Sequence, residues 1–251
     1  MTWVIEAKDS SAIENIITTH NDIYKTMAKE SHNNPSAKEV INYRTAILRG
    51  HELIKKNQLL TANMIIEIQS IIEKNNAGMR KLPGTFLRNE ATGDVVYTPP
   101  FGEETLMSFL TNLESYINND SMHDVDPLIK LAIIHYQFES IHPFYDGNGR
   151  TGRIINILYI VLKGLLDSPI LYLSKYIINN KTSYYALLQG IRDNENWEEY
   201  ILYMLAGIEE TAESTLKIIR RIMSFIKSAP FTVKNMFSLC CAVLTAFSEM
   251  S

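Results

Sequence analysis

Apolar residues recur every three to four positions along most of this 251-residue chain, the spacing that gathers them on one face of an α-helix. Between breaks rich in asparagine, glycine and proline, the pattern predicts helices over about 36–56, 103–118, 170–178, 182–192 and 195–225. A further helix is predicted to begin after Thr61, which can cap it, and to end near Gly78, which suits a left-handed terminal position. We therefore expect a mainly helical fold.

The N-terminal pattern predicts a helix that opens at residues 10–15. Ser11 and Glu14 match the capping-box pattern S-x-x-E, in which each side chain bonds a free backbone N–H at the helix start. Apolar residues recur there at helical spacing, namely Ile13, Ile16 and Ile17. On these grounds Glu14 is first interpreted as a helix cap.

Two segments are apolar on every face and are predicted to be the central helices of a bundle. The first covers 128–140, directly after the start signal Asp126-Pro127, and the second covers 154–162. Residues 82–100 alone favour strands, because turn signals there bracket two short apolar runs. The prediction is an all-α fold with two buried central helices and one short β-hairpin.

Composition and charge narrow the function classes. The net charge is −4 and no block of Lys and Arg appears, so nucleic acid is not an expected partner. The longest uncharged apolar run, residues 235–248, is shorter than the roughly 20 residues of a membrane span, which favours a buried or partner-covered helix and no membrane role. Adjacent Cys240 and Cys241 cannot form an ordinary structural disulfide, and no secretory signal is seen, so a cytoplasmic location is expected.

A stretch unusually dense in polar chemistry, HPFYDGNGRTGR at 142–153, separates the two central helices. Pro143 displaces His142 from helical geometry, so we expect the imidazole at the mouth of the turn and not on a buried helix face. A side chain that titrates near neutral pH at such a position is a candidate general base.

The second half of this stretch has the composition of a phosphate site. The glycines on either side of Asn148 can turn backbone N–H groups inward, and the helix that starts near Arg150 adds its own free N–H groups. Arg150 and Arg153 leave one face of that helix and can each grip a phosphate. Asp146 would repel phosphates unless Mg²⁺ bridged them, so it is a candidate metal ligand.

Residues 142–153 resemble the signature of the Fic family, H-P-F-x-D/E-G-N-G-R-x-x-R, and match it at every fixed position. The similarity runs from residues 10–15 to residue 206. It implies the Fic-type helical bundle and the activity of a protein adenylyltransferase. Such an enzyme transfers AMP from ATP, in the presence of Mg²⁺, to a Ser, Thr or Tyr hydroxyl of a target protein and releases pyrophosphate.

The resemblance implies a role for each residue of the motif. His142 is the general base for the attacking hydroxyl, Phe144 anchors the loop in the core and Asp146 holds Mg²⁺. Arg150 grips the β-phosphate and Arg153 the γ-phosphate. The implied nucleotide-binding positions are Asp146, Gly147, Asn148, Gly149, Arg150, Thr151, Gly152 and Arg153.

Two regions outside the motif also have counterparts in the family. The hairpin at 86–98 corresponds to the flap, which pins an extended target segment by strand pairing through Val95, Val96 and Tyr97. The residues that resemble the adenine side of the site are Tyr184, Tyr185 and Arg192. The same spacing fits a helix that packs on the core through Tyr184 and Leu188, so both interpretations stay open.

Residues 10–15 resemble the inhibitory motif of the family, S/T-x-x-x-E-G/N, in the subclass where it precedes the catalytic core. The resemblance implies that Glu14, within the motif that Ser10 begins, pairs with Arg153 and takes the partner that the γ-phosphate needs. Because both groups belong to one chain, inhibition would be the resting state. A capping role for Glu14 is compatible with this pairing.

The predicted organisation is an N-terminal helical region with the inhibitory motif (1–63), a catalytic core (64–206) and a C-terminal helical extension (207–251). Alternatives are removal of AMP by the same site, transfer of another phosphate-linked group, and a non-enzymatic nucleotide sensor. A metal hydrolase that uses His135, His142 and Asp146 is disfavoured, because His135 falls on a buried helix and is interpreted as a core residue. Self-modification and a homodimer are further expectations; no motif identifies the target.

Overall fold

The computed structural model describes residues 2–28, 34–88, 92–122 and 124–228. Within them the predicted all-α fold with one hairpin is confirmed. The helices are α1 Thr2–Ile13, α2 His20–Met27, α3 Pro35–Asn57, α4 Ala62–Glu73, α5 Glu103–Asn118, α6 Pro127–Ile141, α7 Asn148–Leu162, α8 Leu173–Asn179, α9 Lys181–Asn194 and α10 Trp197–Ser228. The antiparallel strands are β1 Leu87–Arg88 and β2 Val95–Tyr97, and a 3-10 turn covers Asp120–Met122.

Helices α6 and α7 are the buried centre of the bundle, as their apolar sequences predict. No residue of α6 is exposed, and in α7 every residue from Asn148 to Ile160 is buried except Gly149, which is partly exposed. The predicted cap of α6 is present, since the Asp126 carboxylate accepts the N–H of Leu128 at 2.8 Å. The polar loop 142–147 is therefore fixed at both ends by rigid, buried helices.

The end of α4 differs from the prediction. The hydroxyl of Thr61 accepts the N–H of Met64 and caps the helix start as expected. The helix ends at Glu73, however, and Lys74 takes the left-handed conformation, with φ of 53°. Gly78 has a positive φ too, of 67°, but lies in the following loop. The apolar stripe of α4 stops at Ile72, and Lys74, Asn75 and Asn76 are polar and exposed, so continuing the helix through them would bury no apolar side chain.

The N-terminal prediction was wrong about the position of the helix: α1 ends within residues 10–15, where a helix was expected to begin. The N–H of Ile16 donates to the carbonyl of Ser11 at 3.0 Å, and the N–H of Asn15 donates to that of Ala12 at 3.1 Å. Asn15 is left-handed, with φ of 63°. These two bonds and that conformation define a Schellman end. Glu14 is thus at the C-terminal end of α1, and the capping-box interpretation is incorrect.

The chain divides into two compact units, residues 1–211 and 212–251. In the second unit the structure describes residues 212–228, which are helical and carry exposed apolar side chains: Leu216, Ile222, Met223 and Phe225. The apolar run 235–248 and Cys240 and Cys241 lie outside the described residues. In the part of the chain that is described, no helix combines the length and the apolar character needed to cross a membrane.

Candidate active site

The loop between α6 and α7 is stapled to the core by its own side chains. Phe144 is completely buried, as predicted. The side chain of Asn148 accepts the N–H of Phe144 and donates to its carbonyl, both at 2.8 Å. The amide of Asn148 therefore fixes the shape of the loop, a task that the sequence pattern did not suggest for it.

His142 is the residue that closes α6. Its N–H donates to the carbonyl of Phe138 at 3.0 Å, and its backbone is left-handed, with φ of 47°. Burial and then the positive charge of Arg80 lower the pKa of His142 to about 4. The expectation of a group that titrates near neutral pH is thus not matched, and the imidazole is neutral over the physiological range.

Arg80 is a site residue that sequence reasoning missed. Its side chain is fully buried, and Nε donates to the carbonyl of His142 at 2.8 Å. Nη2 donates to the carbonyl of Pro100 at 2.9 Å, just beyond the hairpin. Arg80 follows a loop with no recognised motif, and only its charge within an apolar environment would have distinguished it.

The predicted anion cradle falls at the N-terminus of α7. Gly147 precedes the helix with φ of 76°, and the first helical bond runs from the N–H of Thr151 to the carbonyl of Gly147. Helix geometry leaves the N–H groups of Asn148, Gly149 and Arg150 without acceptors in the helix. These groups and the helix dipole attract negative charge to this end of α7.

The carboxylate of Glu14 lies at this cradle and pairs with Arg153. A Cβ atom on Gly149 would collide with the Glu14 carboxylate, so the acid lies directly over that backbone. The Arg153 side chain is 2% exposed; Nη2 donates to Oε1 of Glu14 at 2.9 Å, and Nε donates to the hydroxyl of Ser10 at 2.7 Å. Ser10 and Glu14, which the sequence singled out together, thus hold one guanidinium.

Arg150 has two carboxylate partners that were not predicted. Nη1 donates to Glu39 at 2.9 Å and Nη2 to Glu73 at 2.7 Å, while the arginine side chain is 4% exposed. Burial raises the pKa of Glu73 and outweighs the opposing charge of Arg150. The structure therefore shows Arg150 joining α7 to α3 and α4. Glu39 and Glu73 gave no sequence signal, because isolated glutamates on amphipathic helices are usually exposed.

Asp146 is open to solvent, with 77% of its side chain exposed. Its Oδ1 accepts a hydrogen bond from the N–H of Gly147 at 2.7 Å, and Nε2 of Gln69 donates to its backbone carbonyl at 3.1 Å. Among the described residues no cluster of three or more His, Cys, Asp or Glu side chains could hold a metal. A single exposed carboxylate does suit Mg²⁺ that brings phosphate oxygens with it.

Thr151 and Gly152, two further predicted nucleotide positions, face the interior. Both are buried, and a Cβ atom on Gly152 would lie 2.6 Å from Oε1 of Glu139 and 3.0 Å from the Phe138 ring. Glycine here allows α6 and α7 to approach closely. The structure does not bring the Thr151 side chain or the Cα atom of Gly152 to the open side of the cradle.

The predicted flap residues differ in exposure. Val95 and Val96 are exposed, whereas the hydroxyl of Tyr97 donates to the carbonyl of Ser140 at 2.9 Å. The guanidinium of Arg192 lies 3.9 Å from the centre of the Tyr97 ring. Arg192 therefore contacts the hairpin, a neighbour that its predicted place on the adenine side did not include.

The two tyrosines assigned to the adenine side separate in the structure. Tyr184 is buried, and its hydroxyl lies 2.7 Å from Nε2 of His135. Leu188 is buried on the same helix, so Tyr184 and Leu188 match the core-packing alternative. Tyr185 is 46% exposed. His135 is fully buried and also contacts Asn156, which confirms its interpretation as a core residue.

Two sequence models of one family match this chain. The model described as "Fic/DOC family" matches residues 59–160, and that described as "Fic/DOC family N-terminal" matches residues 1–52. Together they cover more than half of the chain. The protein adenylyltransferase fic-1 of Caenorhabditis elegans is 34% identical over 89 residues, which are 36% of this chain and 16% of the relative. The protein adenylyltransferase Fic of Drosophila ananassae is 32% identical over 104 residues, 39% of this chain and 20% of the relative.

Solved structures resemble the fold over a longer stretch. A Fic family protein from Desulfovibrio desulfuricans has a TM-score of 0.70 at 22% identity and covers 86% of this chain and 65% of its own. Fic-1 from C. elegans has a TM-score of 0.68 at 22% identity, with 88% and 64% covered. The matches to the curated relatives span about a fifth of those proteins' length.

Proposed function

This chain belongs to the Fic/DOC family, and from that membership we propose that it is a protein adenylyltransferase. It would move AMP from ATP to a Ser, Thr or Tyr hydroxyl of a target protein. The observation that carries the proposal is the complete motif 142–153, folded as a stapled loop that leads into a helix N-terminus. The C. elegans and D. ananassae relatives are named protein adenylyltransferases, which agrees with this activity.

The chemistry follows from the positions of His142 and Arg153. The neutral imidazole of His142 accepts the proton of the target hydroxyl, whose oxygen attacks the α-phosphorus. The bond from that phosphorus to the bridging oxygen breaks, and pyrophosphate leaves with the electron pair. The N–H groups at the start of α7 and the guanidinium of Arg153 neutralise charge on the phosphates. Positioning and charge stabilisation therefore supply most of the rate.

Asp146 is the residue that fits Mg²⁺. Its exposed carboxylate lies beside the cradle, where a cation could also contact phosphate oxygens. When bound, the ion would neutralise phosphate charge and help orient the triphosphate. Arg150 is the less direct participant, because Glu39 and Glu73 already hold its guanidinium.

The hairpin is the proposed docking place for the target. Strand β2 pairs with β1 through one edge, and exposed Val95 and Val96 lie along it. An extended segment of the target can add to the other edge by backbone hydrogen bonds, with little demand on its sequence. This mode agrees with the absence of a target motif in the chain.

The N-terminal region, residues 1–63, is the proposed inhibitor of the core. Glu14 pairs with Arg153 and lies over Gly149, so it would occupy both the arginine and the helix N-terminus that a triphosphate needs. Inhibition then needs no second molecule, because the two groups share one chain. A cytoplasmic site of action is proposed with it, on the strength of the adjacent Cys240 and Cys241.

The experiment is incubation of Glu14→Gly protein and a host lysate with Mg²⁺ and ATP labelled on the α-phosphate, followed by mass spectrometry. AMP attached to a hydroxyl supports the proposal. Label that binds without covalent attachment supports a nucleotide sensor, and transfer from the γ-phosphate alone supports a different group. Loss of AMP from protein that was modified beforehand supports the reverse activity.

A further inference from the structure

The guanidinium of Arg80 joins two functional segments. It is fully buried and donates to the carbonyl of His142 at 2.8 Å and to that of Pro100 at 2.9 Å. His142 ends α6, and Pro100 lies three residues beyond β2 of the hairpin. One side chain thus spans the loop with the proposed base and the exit of the proposed docking strand.

Backbone contacts already attach this segment to the loop without the help of the guanidinium. Met79 and Phe144 form an isolated antiparallel bridge, and the N–H of Arg80 donates to the carbonyl of Pro143 at 2.8 Å. The N–H of Lys81 donates to the hydroxyl of Tyr145 at 3.1 Å. The side chain of Arg80 therefore does more than anchor its own segment.

The backbone of His142 needs support on both sides. A left-handed conformation is unfavourable for a residue with a Cβ atom, and such strain persists where the surroundings fix it. The N–H of His142 is held by Phe138 and its carbonyl by Arg80. Loss of the guanidinium would release one of the two constraints on the orientation of the imidazole.

Arg80 also acts on the charge state of His142. After burial, its positive charge is the strongest influence that lowers the pKa of His142. Arg192 acts in the same direction, while Glu14 and the backbone of Glu139 raise that pKa. A neutral imidazole is the form that accepts a proton, so Arg80 favours the reactive form.

We propose that Arg80 is a positioning residue for AMP transfer, which orients His142 and keeps it in register with the hairpin. This inference rests on the proposed function and assigns a role outside the signature motif. Arg80 itself need not touch ATP or the target hydroxyl.

The test compares Arg80→Met and Arg80→Lys in the Glu14→Gly background. We expect kcat for Arg80→Met to fall about a hundredfold, the effect of a displacement of reacting groups by about 1 Å, with little change in KM for ATP. The acidic limb of the pH–rate profile should move to higher pH in Arg80→Met and stay in place in Arg80→Lys. Arg49→Met is the matched control, because Arg49 pairs with Glu67 on an exposed surface.

Three outcomes overturn the inference. One is a kcat and pH profile for Arg80→Met equal to those of its parent. Another is a loss of kcat with an unmoved acidic limb and a matching loss of unfolding temperature, which indicates a structural role only. If Arg80→Met does not fold, Arg80→Gln removes the same charge and replaces it in the test. The third outcome is an acidic limb of the pH–rate profile that does not move in Arg80→Gln. If the Glu14→Gly parent transfers no AMP, the proposed function fails instead.

Discussion

Oε1 of Glu14 lies 2.9 Å from Nη2 of Arg153, although 139 residues separate them in the sequence. Burial raises the pKa of Glu14, but the charge and hydrogen bond of Arg153 outweigh burial and leave that pKa below its ordinary value. Glu14 is therefore ionised at neutral pH and occupies the place of an anion at the start of α7. A triphosphate would have to displace it to reach Arg153.

Removal of the Glu14 carboxylate should increase the rate of AMP transfer. We expect Glu14→Gly to raise self-modification with ATP by roughly 5- to 150-fold, the range of typical coupling energies between two sites. Glu14→Gln, which keeps the shape but not the charge, should have a self-modification rate between those of wild type and Glu14→Gly. His142→Ala in the Glu14→Gly background should abolish transfer. Mass spectrometry of the protein measures each; equal activity of Glu14→Gly and wild type would refute the inhibitory assignment.

The left-handed residue after Glu14 should matter for the same contact. Asn15→Gly preserves the Schellman end, whereas Asn15→Val should destabilise it by about 1–2 kcal/mol, the cost of a left-handed conformation. The valine variant should then transfer more AMP than wild type and the glycine variant no more. A labelled-ATP assay on the three proteins decides this, and equal activity of all three would contradict it.

Gly152 should be essential for the packing of α6 on α7. Gly152→Ala would crowd Phe138 and Glu139 and should cost about 1–3 kcal/mol of unfolding free energy. Gly190→Ala is the matched control, because a Cβ atom there has no neighbour nearer than 3.8 Å. It should gain up to about 1 kcal/mol from helix propensity. Denaturant unfolding measures both, and a neutral Gly152→Ala would show that α6 and α7 can separate at no cost.

The free energy of unfolding should decrease as the pH rises, because of Glu6 on α1. Burial raises the pKa of Glu6 to about 7, and Ser174 and Tyr43 donate to its carboxylate. The folded state then binds the proton more tightly than the unfolded state, so this contribution is complete below the ordinary pKa and is lost as pH rises through 7. We expect Glu6→Gln to unfold less readily than wild type at pH 8, by up to roughly 3 kcal/mol. The same difference at pH 4 would disprove the assignment.

Contiguous features were predictable from sequence because their chemistry is local. The stretch 142–153 contains its own turn residues, anchor and charged groups, and the apolar faces of α6 and α7 indicate burial by themselves. The hairpin and the Asp126 cap follow from short-range rules in the same way. The pairing of Glu14 with Arg153 is distant in sequence, and only the family resemblance suggested it.

Features that depend on distant neighbours were missed. Arg80, Glu39 and Glu73 contact the motif across 60 residues or more. No periodic pattern marks them, since charged residues are usually exposed. The pKa of His142 depends on burial and on the distant Arg80, so its low value could not be predicted from the sequence either. The end of α1 was mistaken for a helix start because S-x-x-E also occurs at a helix end, where Asn15 can take the left-handed conformation.

The distance along the chain between Glu14 and Arg153 also sets an order of events during synthesis. A ribosome that adds about 5–20 residues per second makes α1 many seconds before it reaches Arg153. The acid is therefore already present when α7 emerges and its N-terminus is first able to attract an anion. If Glu14 inhibits as proposed, no stage of synthesis presents Arg153 before its inhibitory partner has been made.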